Sequence, residues 1–220
     1  MFFNSKVIPN KYKDISTKDI QSIIDNKSRL GILKNNNKKL GKPIYDFNLP
    51  PIQSCPNYKE CFKTCYAVNT FKRYPRVKKS WEDNYKLVVN DLPRFKQLIN
   101  KQIKKDMIQI VRIHSSGDFY NLDYLKAWLD ICNTNKNTLF YAYTKAFNTI
   151  NDLPKNLNII NSFLTYKGKQ YLNYGTKDYA TKLAKNIGGI VCPITEGKKS
   201  TCAECKFCFT SDKVTFIEHK

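Results

Sequence analysis

Eight cysteines stand at positions 55, 61, 65, 132, 192, 202, 205 and 208, and seven of them fall into two groups spaced for thiolate ligation of a metal. The later group is Cys192-Pro193 followed by Cys202-Ala203-Glu204-Cys205-Lys206-Phe207-Cys208. Two-residue gaps let successive thiolates converge from one tight turn, and Cys192, after the strand-like Gly188-Gly189-Ile190-Val191, adds a fourth donor from a neighbouring element. Four thiolates suit tetrahedral zinc or a [4Fe–4S] cluster, and spacing does not separate the two. The earlier group, Cys55, Cys61 and Cys65, lies on a loop ahead of a helix and has only three thiols. Three donors leave a coordination position open, for water or substrate on zinc or for a small molecule on one iron of a cluster. The alternative is a closed structural site with His114 or Cys132 as the fourth ligand. Cys132 also shares a helical stripe with Leu122, Leu125 and Leu129, which reads as a buried core thiol.

The elements around these groups alternate. Lys42 to Leu49 reads as a strand leading directly into the first cysteine loop, and helices follow over about 78–90 and from the Asp91/Pro93 signal to Lys105. Met107 to Ile113 has the β-branched density of a buried strand and ends in His114-Ser115-Ser116-Gly117-Asp118. A helix around Trp128 comes next, then a strand over 138–143 that ends in Thr144-Lys145. A further strand is expected over 157–164 and a helix over 177–187, stopped by Gly188. The fold class is therefore α/β with a mostly parallel sheet, a partial or trimmed β/α barrel, and a C-terminal cysteine-rich metal-binding segment. Residues 1–41 read as an N-terminal appendage with a short helix capped at Ser16/Thr17, 42–190 as the α/β core, and 191–220 as the cysteine-rich segment packed on it.

Ligands of parallel sheets sit beyond the carboxyl ends of the strands, where the first cysteine loop, His114–Asp118 and Lys145 all fall. His114, Asp118 and Lys145 are thus the candidate catalytic groups. The bland readings are a histidine bonded to a loop carbonyl, ordinary turn and helix-cap chemistry in Ser-Ser-Gly-Asp, and a solvated surface lysine. Tyr66, next to Cys65, is either a packing residue or a cofactor contact.

Hydrophobic residues at 41% and aromatics at 13% exclude a disordered chain, and no apolar stretch is long enough to cross a membrane. The opening residues lack the pattern of a secretory signal, so a cytoplasmic protein is expected, in a reducing compartment where clustered cysteines bind metal. The net charge of +20 favours nucleic acid or a phosphorylated substrate as partner. Only five of the 38 basic residues are arginine, however, and the Lys/Asn richness is also what an AT-rich coding sequence produces.

The order strand, Cys65-Tyr66-Ala67 loop, helix, strand ending Ser116-Gly117-Asp118, helix, strand resembles the radical S-adenosylmethionine superfamily. With His114-Ser115-Ser116-Gly117-Asp118-Phe119 and Tyr141-Ala142-Tyr143-Thr144-Lys145, the chain over about 42–210 looks still more like a phage-encoded family of the gene product eighty-eight type. The superfamily resemblance implies a [4Fe–4S] cluster on Cys55, Cys61 and Cys65 with S-adenosylmethionine on the fourth iron. It also implies cofactor contacts from Ser116, Gly117 and Asp118, an electron donor, and a second, auxiliary cluster on the later cysteines. The spacing here is C-x5-C-x3-C, against the superfamily's usual C-x3-C-x2-C. Two functions follow as expectations: an iron–sulfur enzyme acting on a nucleic acid or phosphorylated substrate, or a zinc-stapled basic nucleic-acid-binding protein without catalysis.

Overall fold

The structure is a computed structural model that describes residues 6–147, 152–167 and 169–218. Its centre is an open parallel sheet in the sequential order β1 (Ile44–Phe47), β2 (Ile110–Ile113), β3 (Leu139–Thr144) and β4 (Leu157–Asn161). Helices α2 (Tyr66–Arg73), α3 (Pro75–Asn90) and α4 (Leu92–Lys105) connect β1 to β2, and α5 (Leu122–Thr134) connects β2 to β3. Side-chain caps set several of these starts. Asp91 accepts from the Arg94 N–H, with Pro93 in the first turn, and Asn121 accepts from the Tyr124 N–H.

Because side chains alternate along each strand, the sheet has two different faces. Phe47, Val111, Ile113, Phe140, Ala142 and Leu157 face the helices and join Phe95, Tyr124 and Trp128 in the main core. The sequence before residue 42, expected as an appendage, contributes to that core. Ser16 caps α1 (Thr17–Leu30), and the buried Ile20, Ile23 and Ile24 lie on its packed face. A one-sided apolar stripe on a short helix is stable only when it is covered. Cys132 is fully buried in the same core, as its helical stripe indicates.

The opposite face carries Ile44 and Asp46 on β1, Ile110 and Arg112 on β2, Tyr141 and Tyr143 on β3, and Asn158 and Ile160 on β4. Here the chain's later part packs. After the antiparallel pair β5 (Phe163–Tyr166) and β6 (Lys169–Leu172) come β7 (Tyr174–Gly175), α6 (Lys177–Ile187) and β8 (Ile190–Val191), then α7 (Cys202–Cys205) and β9 (Val214–Ile217). A second small parallel sheet has the order β7-β9-β8. Leu40, Ile44 and Tyr141 pack with Cys202 and Phe209, while Ile160, Cys192 and Val214 pack with Phe207 and Phe216. The mostly parallel α/β architecture is as the alternating pattern indicated. Among the described residues the four central strands remain an open sheet, with helices on one face and the cysteine-rich segment on the other. No helix among the described residues is long and apolar enough to cross a membrane.

Candidate functional site

A cleft of about 1290 Å³ opens between the second face of the sheet, the first cysteine loop and the C-terminal segment. Cys61 and Cys65 line it from one side, and Cys192, Cys202, Cys205 and Cys208 from the other. Two groups more than a hundred residues apart in the chain therefore share one chamber.

Each wall is fixed by specific bonds. On the C-terminal side, the Cys202 and Ala203 N–H groups donate to the Lys39 and Leu40 carbonyls at 3.0 and 2.9 Å. From the sheet, Asn158 donates to the carbonyls of Cys208 and Ser211 at 3.0 and 3.1 Å, and the Cys192 N–H donates to Thr215 on β9. On the loop side, the Cys55 N–H donates to the Ile52 carbonyl and the Cys61 N–H to that of Tyr58. Asn57 donates to the Lys145 carbonyl, tying this loop to the end of β3. Ile52 holds φ at +66°, a costly conformation for a β-branched residue, just before the first cysteine loop.

The polar turn after β2 braces the loop. Ser116 receives a bond from the Leu49 N–H, donates its own N–H to Asn48 Oδ1, and donates its hydroxyl to the Leu49 carbonyl. Gly117 holds φ at +89°, and a Cβ there would lie 2.7 Å from both Leu49 Cβ and Ser54 Oγ. Only glycine allows this turn to press against the segment that delivers Cys55. Asp118 is buried, accepting from the Phe119 N–H and Thr144 hydroxyl on one oxygen and from the Lys145 N–H on the other. Burial raises its pKa against those three bonds.

His114 is placed elsewhere. Its φ of +65° breaks the alternation of β2, and its ring lies among Phe47, Phe119, Tyr124 and Trp128 with Nε2 2.8 Å from the Tyr124 hydroxyl. Burial, with the nearby Arg112 charge second, pushes its pKa down to about 3. It is a neutral core imidazole at ordinary pH and does not line the cleft. Of the expected site residues, Tyr66 and Lys145 line the cleft with six of the cysteines. Ser116, Gly117 and Asp118 stand behind the loop as its support. Tyr66 begins α2, and its hydroxyl donates to the Ser115 carbonyl. Lys145 carries its ammonium 5.3 Å from the Tyr174 ring centre, and its charge opposes the effect of burial on the Cys61 thiol.

Sequence reading passed over Arg112. It was the one charged residue within the apolar β-branched run of β2, which was the available signal. Its guanidinium lies 4.9 Å from the Tyr143 ring centre, and burial alone would lower its pKa. Tyr66, Tyr141, Tyr143 and Cys202 act in the opposite direction, and a guanidinium is cationic at any ordinary pH.

All seven clustered cysteines are free thiols, and chemically they are a soft donor set suited to zinc or iron. Burial raises the thiol pKa of Cys55, Cys61 and Cys202, and takes that of Cys208 up to about 12. After burial, the Asp118 charge raises the Cys55 thiol further, ahead of smaller effects from Cys61 and Cys65, while Cys192 and Cys202 act on Cys208. Among the described residues, no three Cys, His, Asp or Glu donors converge on one point.

Fold and cleft together define an open-sheet α/β protein with a cysteine-lined chamber on the face opposite its helices. The chain belongs to the gene product 88 family, a phage gene-product family whose model matches residues 25–177. That stretch takes in the first cysteine loop and the whole four-strand sheet. No curated protein and no solved structure matches the chain.

Proposed function

We propose that this protein is a metal–sulfur protein in which Cys55, Cys61 and Cys65 hold a [4Fe–4S]-type centre with an open position, and Cys192, Cys202, Cys205 and Cys208 hold a second, closed centre. The observation that carries this reading is that thiols of both groups line one cleft. A cluster with an open iron supplies one-electron chemistry to a small molecule bound there, S-adenosylmethionine being the one the superfamily resemblance implies. The chain's own residues do the rest. Gly117 and Ser116 hold the ligand loop, Asn57 locks it to the end of β3, Asp118 joins the turn behind it to that same end, and Asn158 anchors the opposite wall. A bound cation would offset the burial that now favours neutral thiols.

The test is anaerobic purification followed by iron, sulfide and zinc analysis with a visible spectrum, repeated on Cys61→Ala and Cys205→Ala. Iron and sulfide in the parent, with each variant losing part of the metal, support two centres on one cleft. A colourless zinc protein overturns the redox reading. It would leave a zinc-held, basic nucleic-acid-binding protein, a reading favoured by Lys34, Lys38 and Lys39 on the cleft wall.

A further inference from the structure

Arg112 occupies the middle of the cleft face. It is on β2, in register with Asp46 of β1 on one side and Tyr141 of β3 on the other. Among the described residues no carboxylate lies within ion-pair distance of it, and its buried Nε has no hydrogen-bond acceptor. A half-buried cation with no ion pair at contact distance is costly, and an aromatic face offsets that cost only in part. The surroundings add to the imbalance. Nine Lys and Arg side chains line the cleft against three Asp and Glu. The cleft is also larger than a drug-sized pocket, leaving room for a small molecule beside metal-bound thiols.

We infer that Arg112 is the anion-recognition residue of the cleft, and that the ligand is a small molecule presenting a carboxylate or phosphate to it. A planar guanidinium whose Nε lacks an acceptor suits an oxyanion, which parallel N–H groups can hold at once, with the Tyr66 hydroxyl, itself hydrogen-bonded to the guanidinium, at the rim of that position. Tyr66 and Tyr143 both contact the guanidinium and so flank that position. Lysines further out raise the local concentration of anions without reading their shape. The inference names the ligand class for the cleft of the proposed metal–sulfur protein, and it rests on the cleft's geometry alone.

The experiment is calorimetric titration of the purified protein at low ionic strength with inorganic phosphate and, separately, with acetate. Metal content is measured on the same samples. Binding of either anion is expected, weakened by about tenfold or more in Arg112→Gln and by an intermediate factor in Arg112→Lys, which keeps the charge but loses the fork. Lys38→Gln should change it little. Which anion binds better identifies the head group as phosphate or carboxylate. Equal weakening in Lys38→Gln and Arg112→Gln overturns the inference, because diffuse charge would then be responsible. So does tight binding of a single-stranded oligonucleotide unaffected by Arg112→Gln. If Arg112→Gln loses metal while anion affinity stays at the parent value, the guanidinium is instead the counter-ion of the thiolates. Loss of the metal–sulfur reading alone would show in the metal analysis while the anion arms stood.

Discussion

The carboxylate of Asp118 accepts the backbone N–H of Lys145 at 2.8 Å, joining the loop after β2 to the loop after β3. Its other oxygen takes the Phe119 N–H and the Thr144 hydroxyl, each at 2.7 Å. Asparagine has the same shape but one acceptor atom fewer, so one of those backbone N–H groups would face another donor. Asp118→Asn should therefore lower stability by about 1–3 kcal/mol. Urea midpoints of the two proteins check this, and an unchanged midpoint would mean that the clamp carries no weight.

Gly117→Ala should be worse for the site than for the fold as a whole. The new methyl would press on Leu49 and Ser54 from a left-handed backbone position, displacing the strand exit that carries Cys55. Loss of metal from the first centre, with helical circular dichroism retained, is the expected result. Full metal content would contradict the bracing role.

His114 should not titrate between pH 8 and pH 5. Its folded pKa of about 3 lies below the ordinary value near 6.5. Between those values the unfolded chain binds a proton that the folded chain does not, so stability falls as pH drops through this window. The imidazole proton shifts in NMR give the check. A midpoint near 6 would restore His114 as a candidate acid–base group.

Lys27 offers a second linkage with the opposite pH range. It is buried on α1, donates to the Ser80 carbonyl and hydroxyl, and has its pKa lowered by burial to about 8. Between pH 8 and the ordinary lysine value of about 10.4, the unfolded state binds more protons, so this residue's contribution rises with pH. Tyrosines and thiols with raised pKa values pull the other way in the same range. The measurable quantity is thus a difference: stability of the parent minus Lys27→Met should grow from pH 8 to 10, and a flat difference would contradict it.

Cys132→Ala should leave metal content unchanged, in contrast to Cys61→Ala and Cys205→Ala. Its thiol is fully buried in the helix-facing core, so the cost is one of packing, about 1 kcal/mol. Elemental analysis of the three variants side by side decides the matter.

Most of the central fold was readable because its signals are local. The Asp91 and Ser16 caps, the β-branched run of β2, and the stripe carrying Trp128 each mark an element without reference to the rest of the chain. The three-thiol loop and the four-thiol segment were legible as groups from spacing alone. Their sharing of one cleft was not, since nothing in spacing reports distance across a fold. His114 reads as a site residue because it follows the carboxyl end of a strand, and a positive φ at that one residue turns it into the core. Arg112 was overlooked because a charged residue inside an apolar run looks like a strand imperfection until both neighbouring strands are in place. The helix α1 looked detached because its partners, α3 and α4, lie many residues later.

The cleft's outer wall comes from the last part of the chain, as Cys192, α7 and β9 close over Ile44, Tyr141 and Ile160. In the chain that wall follows the sheet, whose last strand ends at Asn161. Without it the face that carries Arg112 would be open to water. Loosening the segment that carries Cys192, Cys202, Cys205 and Cys208 would therefore open the cleft while the helix-facing core of the sheet kept its own contacts.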